Sequence, residues 1–279
     1  MILSPAVEQM IIKTIADDFE LDIVWSVFAK TTLQKEREFK PVLRRLFRDQ
    51  EKRVLQKIQQ HPPPEPEEKL LTGPIIEPWL LNPTEWEVVF ENAAKPYLLD
   101  SMEAGFDRGI RRIENLADVS LNISFDVHDP NVERMFNDKL HKFSFEVNDT
   151  TNKELKRSFR EAIIEGENIR MINERASKVF RMARGYRTVR IARTEILGAY
   201  GAGNYRSMVD SRVVETRRWL ATRDSRTRDS HADIDGEVVK LKQRYSNGLR
   251  FPGDWTGPLE EFINCRCTEI VESFVEGEY

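Results

Sequence analysis

Apolar positions recur with helical spacing through the first sixty residues. The surrounding sequence is dominated by Lys, Arg, Glu and Gln, so the apolar positions form a narrow stripe on an otherwise charged helix. The stripe comprises Leu43, Leu46, Phe47, Val54, Leu55 and Ile58. Ser4 followed by Pro5 is typical of a helix start, and Pro41 is the one residue expected to break the helix. We predict a long helical region over 1–60 that buries this stripe against another element or another subunit.

Prolines dominate the next segment and exclude a helix there. Residues 61–83 begin with the run HPPPEPEE and carry further prolines, which favours an extended strap or linker. Trp79 and Trp86 lie in or beside this segment. Aromatic side chains of extended segments often dock into grooves, so we expect these two to occupy a groove of this chain or of a partner.

Alternating apolar and polar residues predict two short strands in the middle of the chain, at 123–127 and 143–147. Asp129 and Pro130 between them are typical of a helix start, and the spacer is long enough for a crossover between parallel strands. After the second strand, the run Asn-Asp-Thr-Thr at 148–151 offers caps for a helix that ends at Ile164, and further helices are predicted from Asn168 to near Gly185 and from Thr188 to Val209.

The last part of the chain changes character. Strand-like pieces at 218–222, 238–241 and 267–271 are separated by turn-forming residues, including the pair Asn247–Gly248. The predicted fold class is mainly α, with long N-terminal helices, a Pro-rich strap, a helical middle and a small, short-stranded and loop-rich α+β module at the C-terminus. Four segments follow: a long helical region 1–60, a partner-docking strap and helix 61–120, a mainly helical domain 121–210 with two short strands, and the α+β module 211–279.

Charge adds a basic block to this picture. The net charge is −4, and no run of about 18 apolar residues occurs, so we expect no transmembrane helix and no membrane partner. The cations of the block recur every three residues: Arg175, Lys178, Arg181, Arg184, Arg187, Arg190 and Arg193. On a helix of 3.6 residues per turn this spacing spirals around the axis instead of forming one stripe. The block therefore either contacts DNA phosphates or an acidic surface of another protein, or it is a solvated helix face without a partner.

Residues with versatile chemistry are concentrated near the C-terminus. Both cysteines, Cys265 and Cys267, lie in one tetrapeptide, and His231 lies in the run HADID. Cysteines two apart on an extended segment share a face, so with His231 they either approach one zinc ion or pack in one apolar core. A Cys–His nucleophilic pair is a third interpretation. A magnesium site at Asp233 and Asp235 is a fourth, although two carboxylates in a turn more often brace it.

Three motifs follow one another in this half of the chain. Residues 192–195 (Ala-Arg-Thr-Glu) precede the run AYGAGN at 199–204; the second motif extends from Trp219 to Gly236; the third joins Pro-Gly-Asp at 252–254 to Asn-Cys-Arg-Cys at 264–267. Their order and spacing resemble the phage Mu F-like minor head protein family over about 125–275. Tyr200 stands where that family often has a small residue.

The resemblance implies a minor capsid or head morphogenesis protein of a tailed bacteriophage, docked on the portal vertex and assisting head assembly and DNA packaging or ejection. Portal protein is the expected partner, with major capsid or scaffold protein and DNA as further candidates. The expected locations are the virion and, during assembly, the host cytoplasm. No catalytic role is expected, and zinc is the one cofactor considered. The alternatives are a DNA-binding internal virion protein and a metal- or Cys-dependent hydrolase.

The resemblance assigns no roles to individual motif residues. We expect one buried polar network that joins the helix carrying Arg193 to the C-terminal module, with Arg193 paired to Asp224 or Asp235. Its expected members are Arg193, Glu195, Trp219, Asp224, Arg226, Arg228, His231, Asp235, Asn264, Cys265 and Cys267.

Overall fold

The computed structural model describes residues 5–63 and 76–275, with side chains from residue 21 on. The cap predicted at Ser4 and most of the proline-rich strap lie outside these residues. The helices are α1 (Pro5–Gln60), α2 (Pro83–Ala117), α3 (Pro130–Ile164), α4 (Ile169–Met182), α5 (Thr188–Ser211), α6 (Asp229–Ala232) and α7 (Leu259–Phe262). The strands are β1 (Val214–Leu220), β2 (Val238–Lys240) and β3 (Thr268–Phe274). The predicted fold class, mainly α with a small C-terminal α+β part, is confirmed.

The chain folds into two compact units. The helical unit comprises Glu36–Asp100 and Ser124–Ala199. The mixed unit, which holds the sheet, comprises the chain up to Lys35, Ser101–Ile123 and the chain from Tyr200. Three of the four unit boundaries fall inside α1, α2 and α5, and the fourth follows Ile123, between α2 and α3. Neither unit therefore coincides with one of the four segments predicted along the sequence.

The apolar stripe of α1 is buried in the helical unit. Leu43, Phe47 and Ile58 are fully covered, and Phe47 packs edge-on against Phe90 with ring centres 5.7 Å apart. Pro41 does not break the helix as predicted. Its side chain is exposed, so water can satisfy the carbonyl that proline leaves without an amide partner. Among the described helices, none combines the length and apolar character that crossing a bilayer requires.

Neither strand predicted in the middle of the chain is present. Residues 123–127 form neither strand nor helix, and 143–147 lie inside α3, so the predicted parallel pair is wrong. The buried residues of this part of α3 are three or four apart: Phe136, Leu140, Phe143 and Val147. The local alternation is a short piece of this longer helical period, in which Phe145 is half exposed.

The caps predicted at Asp129 and Asn168 are confirmed, but the helix start predicted at 148–151 is wrong, because these residues lie inside α3. There the side chains of Asn148 and Thr151 donate to carbonyls four residues earlier and cap no helix. Asp129 caps α3, because its carboxylate accepts hydrogen bonds from two backbone amides of the first turn. Asn168 caps α4 through the amide of Met171. Gly185 leaves the helical conformation within a π-helical segment, Ala183–Arg187, that separates α4 from α5.

Both tryptophans beside the strap are buried in the helical unit. Trp79 lies in a 3₁₀ turn, packs edge-on against Phe159 at 5.3 Å and donates its indole N–H to the His61 carbonyl at 2.7 Å. Trp86 packs against Phe90 with ring centres 6.5 Å apart. Of the two grooves considered, the tryptophans occupy one in this chain, so they are not anchors for a partner.

The sheet of the mixed unit has the strand order β2–β1–β3, and both pairings are antiparallel. Its strands overlap the three predicted strand-like pieces, although β1 starts earlier than expected. Ile113 of α2 and Met208 of α5 pack with Val214 and Val271 of the sheet. This core anchors β1 and β3, the strands that flank the C-terminal motifs.

Glycines allow α2 and α5 to cross closely in the mixed unit. A Cβ on Gly105 would lie 2.1 Å from the carbonyl oxygen of Tyr200, and one on Gly203 would lie 1.8 Å from that of Met102. Real Cβ atoms do not approach backbone that closely, so the crossing requires residues without a side chain.

Candidate functional site

Two short segments bring the scarce residues of the C-terminal motifs together. His231 lies on the one-turn helix α6, and the two cysteines lie between α7 and β3. Arg228, just before α6, donates to the backbone carbonyls of Glu261 and Ile263. Asn264 adopts a left-handed backbone conformation (φ 59°), which asparagine tolerates, and turns the chain out of α7. These local features hold α6 against the segment that carries the cysteines.

His231, Cys265 and Cys267 form a compact buried cluster. His231 Nδ1 lies 3.7 Å from Cys265 Sγ and 3.4 Å from Cys267 Sγ, and the three potential ligand atoms lie within 4.8 Å of one another. The three residues are 1%, 3% and 4% exposed, and both cysteines are free thiols. A nucleophilic cysteine must be reached by its substrate, so this burial argues against a Cys–His catalytic pair.

The imidazole of His231 is oriented from two sides. The Trp219 ring packs edge-on against it at 5.2 Å. Nε2 lies 2.9 Å from Glu261 Oε2 but off the axis of a hydrogen bond, so this buried nitrogen makes none. The hydroxyl of Ser230 donates to the same carboxylate oxygen at 3.0 Å. Nδ1 therefore faces the two sulfurs, while Nε2 faces a carboxylate.

The two thiols differ in acidity. The hydrogen bond between the sulfurs, together with burial, raises the pKa of Cys265 well above its ordinary value. The same hydrogen bond lowers the pKa of Cys267 well below it, and the neighbouring His231 adds to this effect against the penalty of burial. Cys267 is thus the sulfur that more readily becomes a thiolate.

Arg266, between the two cysteines, binds Asp224. Its guanidinium donates to the two carboxylate oxygens at 2.7 and 2.9 Å, as a bidentate pair. Burial alone would raise the pKa of Asp224, but hydrogen bonds from Arg266 and Arg226 lower it to about 2. Asp235 accepts hydrogen bonds from a backbone amide and from Arg223, at 2.9 and 2.7 Å. Asp235 therefore braces its turn, the role that we favoured over magnesium binding.

Arg193 pairs with Glu36 of α1 at 3.3 Å, within the helical unit. Within the mixed unit, Asp224 is held by Arg266 and Asp235 by Arg223. The pairing of Arg193 with Asp224 or Asp235, and the single network expected across the motifs, stay predictions.

Glu195 takes part in a separate buried ion pair. Its carboxylate lies 2.7 Å from the ammonium group of Lys139 on α3, and both residues are buried in the helical unit. The Arg and Glu of the Ala-Arg-Thr-Glu motif thus link α5 to two different helices. This role is structural, since buried charges need partners.

Sequence reasoning missed a second buried charge cluster, around Arg217. The Arg217 guanidinium is fully buried, pairs with Glu269 and lies over the rings of Tyr205 and Tyr245, at 5.0 and 4.7 Å. Burial raises the pKa of Glu269 even though the charge of Arg217 acts to lower it. A signal was available: Arg217 lies one residue before the predicted strand at 218–222, and a strand extended to include it puts Arg217 and Trp219 on one face.

The basic block is largely neutralised within the helical unit. Four of its arginines pair with carboxylates: Arg175 with Glu161, Glu165 and Glu167, Arg184 with Glu51, Arg187 with Glu154, and Arg193 with Glu36. Arg190 lies over the ring of Tyr186 at 5.5 Å. Lys178 and Arg181 are exposed. DNA binding by this block stays a prediction, with fewer cations open to it than the sequence suggested.

Comparisons with known proteins agree with the motifs. Residues 153–270 match the model of the family described as Phage Mu protein F like protein. NAD(+)–arginine ADP-ribosyltransferase EFV of Enterococcus faecalis is 26% identical over 199 residues, which cover 64% of this chain and 39% of that protein. No solved structure matches the chain with significance. All three motifs lie inside the matched range, so their resemblance to the phage Mu F-like head morphogenesis family is confirmed over residues 153–270.

Proposed function

We propose that the chain is a minor capsid protein that docks on the portal vertex of a tailed-phage head and assists head assembly. The observation that carries the proposal is the family match over 153–270, which contains every motif noted in the sequence. The motif side chains support a scaffolding role, because Asp224 and Glu195 are held by Arg266 and Lys139. Pairs of this kind fix loops and helices in place, which suits a surface that binds other proteins.

We also infer that the chain acts without catalysis. The match to the ADP-ribosyltransferase covers only 39% of that protein's length, so we do not assign its transferase activity to this chain. In this chain Cys265 and Cys267, the candidate nucleophiles, are buried. Incubation of the purified chain with labelled NAD(+) and an arginine-rich acceptor protein tests the inference. We expect no labelled arginine; transfer of label would overturn the non-catalytic role.

The proposed location is the mature virion, at the portal vertex, after assembly in the host cytoplasm. Portal protein is the main proposed partner, and major capsid or scaffold protein is a further one. A protein at this vertex lies on the path of the genome, so a part in DNA packaging or ejection follows from the location. Quantitative mass spectrometry of purified virions should find the chain at a few copies per portal.

Co-expression of the full chain with the portal protein of the same phage genome tests docking. The complex is purified, then sized by light scattering at low and at high salt. Because protein interfaces with apolar contacts depend less on salt than phosphate contacts do, we expect a complex that persists at high salt. The portal protein of an unrelated tailed phage is the matched control and should not bind.

Two outcomes would overturn the docking proposal. One is that both portal proteins bind equally, which indicates non-specific association. The other is that neither binds and nucleic acid copurifies with the chain at low salt only. That second result favours a DNA-binding internal virion protein, because phosphate contacts weaken steeply as salt rises.

A further inference from the structure

We propose that His231, Cys265 and Cys267 bind one zinc ion. Zinc in proteins prefers sulfur and imidazole ligands in tetrahedral arrangement, with metal–ligand distances that put an imidazole nitrogen about 3.6 Å from a thiolate sulfur. The two distances from His231 Nδ1 to the sulfurs, 3.7 and 3.4 Å, lie on either side of this value. Two of the three separations therefore match those around one tetrahedral ion, and all three donor atoms lie within 4.8 Å of one another.

The surroundings of His231 are those of a metal ligand. Histidines that bind metal through one nitrogen usually donate the N–H of the other to a carboxylate, which fixes the ring and its tautomer. Here Nδ1 faces the sulfurs and Nε2 lies 2.9 Å from the carboxylate of Glu261. Nε2 is buried and makes no hydrogen bond, and Ser230 holds the Glu261 oxygen in place from the other side. A small rotation of the ring, as metal binds Nδ1, would align Nε2–H with Glu261.

The donor set selects zinc and a structural role. Two thiolates and an imidazole suit zinc better than magnesium or calcium, which prefer oxygen ligands. All three ligands are almost fully buried, so a substrate would not reach the ion, as is typical of a structural site. The ion would join α6 to the segment between α7 and β3. Regular structure is sparse around them: between β1 and β3 only β2 and two one-turn helices are present.

A region with so little regular structure gains stability from a bound metal. The metal binds only the folded arrangement of its ligands, so the free energy of metal binding adds to the free energy of folding. The zinc proposal and the portal-docking proposal are independent. If the protein bound no zinc, the docking proposal would stand, and if it did not bind portal protein, the zinc proposal would stand.

The test uses the untagged full chain, expressed with added zinc and purified without chelator. Elemental analysis after exhaustive dialysis should find about one zinc ion per chain. Exchange of the zinc for cobalt should give the visible absorption of a tetrahedral site with thiolate ligands. Removal of the metal with a strong chelator should lower the melting temperature, and added zinc should restore it.

Single-residue variants locate the ion. Cys265→Ser, Cys267→Ser and His231→Asn should each lose the bound zinc. Glu261→Gln should retain it with an affinity lower by about 10- to 100-fold, as expected for a residue that orients a ligand. Asp233→Asn is the matched control: it changes an exposed carboxylate next to α6 but removes no ligand, and it should keep full zinc content.

The measurements on the wild-type protein test the zinc proposal even where a variant fails to fold. Zinc well below one ion per chain after growth with added zinc, with a melting temperature that neither chelator nor zinc changes, would overturn the proposal. The cluster would then be a packed group of two thiols and an imidazole. Full zinc content in the Cys265→Ser variant and in the Cys267→Ser variant would also overturn it, because the ion would be bound elsewhere.

Discussion

At the scale of single residues, Asp254 shows how a motif residue organises a loop. It is completely buried and accepts hydrogen bonds from two directions: from the backbone amide and guanidinium of Arg250 and from the amide and hydroxyl of Thr256. Arg244 adds a further contact at 3.2 Å. One carboxylate thereby closes the loop that follows Pro252–Gly253, which explains why an acidic residue is needed at the end of the Pro-Gly-Asp motif.

Replacement Asp254→Asn should lower stability at neutral pH by about 1–3 kcal/mol, because buried donors lose an ionised acceptor. Burial acts to raise the pKa of Asp254, but the hydrogen bonds from Arg250 and Thr256 outweigh it and lower the pKa. Because the pKa is lower in the folded state, the carboxylate contributes its full stability at pH values above the unfolded-state pKa of about 3.9. This contribution is lost as the pH falls through the folded-state pKa.

Urea unfolding of wild type and variant from neutral pH into acid measures this effect. The difference between them should be greatest near pH 7 and should narrow from about pH 4 downward. Asp138→Asn, an exposed position on α3, is the control and should match wild type throughout. A difference between Asp254→Asn and wild type that stays constant into acid would show that the charge of Asp254 is not what stabilises the loop.

At the scale of elements, local signals predicted two helix caps and the three C-terminal strands, but they missed the continuity of α3 through 143–151. Asp129 and Asn168 were identified as caps because capping depends on a side chain next to its own helix. The strand at 143–147 was predicted wrongly because five residues are too few to distinguish a hydrophobic period of 2 from one of 3.6. Aromatic residues occupy both buried and exposed positions of the helix there, which hides its period. The approach of His231 to the cysteines was predicted; Glu261 was not, since its role depends on α7 folding back on α6.

The close crossing of α2 and α5 predicts that replacing a glycine by alanine there lowers stability, although the same change inside a helix usually raises it. Glycine to alanine inside a helix normally stabilises by about 0.5–1 kcal/mol. For Gly203→Ala we expect a loss of about 1–3 kcal/mol instead, because the new methyl group would collide with the backbone of Met102 and force the helices apart.

Thermal and denaturant unfolding of the full chain measure the loss. Gly109→Ala on α2 is the matched variant: its methyl group would meet the side chain of Ser207 rather than backbone, so its cost should be smaller. Equal or higher stability for Gly203→Ala would mean that the two helices do not need the close approach.

At the scale of the whole molecule, the organisation could not be read from the sequence. Each unit is assembled from segments far apart in the chain, and three of the four unit boundaries fall within continuous helices. Capping residues indicate where helices begin, but they carry no information on which distant segments share a core. For the same reason the partners of the basic block were not foreseen: Glu51 and Glu154 lie far from Arg184 and Arg187 in sequence.

These ion pairs decide how the whole protein should respond to DNA. Since Arg184 and Arg187 are already paired, substantial DNA affinity would have to depend on exposed cations such as Lys178 and Arg181. We expect the double variant Lys178→Glu/Arg181→Glu to bind double-stranded DNA much as wild type does, and weakly, with a shallow dependence on salt because few counterions are released.

Fluorescence anisotropy with a labelled duplex, at several salt concentrations, makes the comparison. The control is Arg134→Glu/Arg160→Glu, which makes the same change of charge at exposed positions of α3. Both variants should retain the portal complex, because neither alters a buried residue. If Lys178→Glu/Arg181→Glu alone abolishes tight, salt-sensitive binding, the basic block is a DNA contact site. The protein would then combine a head-assembly fold with direct contact to the genome, and the steepness of the wild-type salt dependence would give the number of phosphates it contacts.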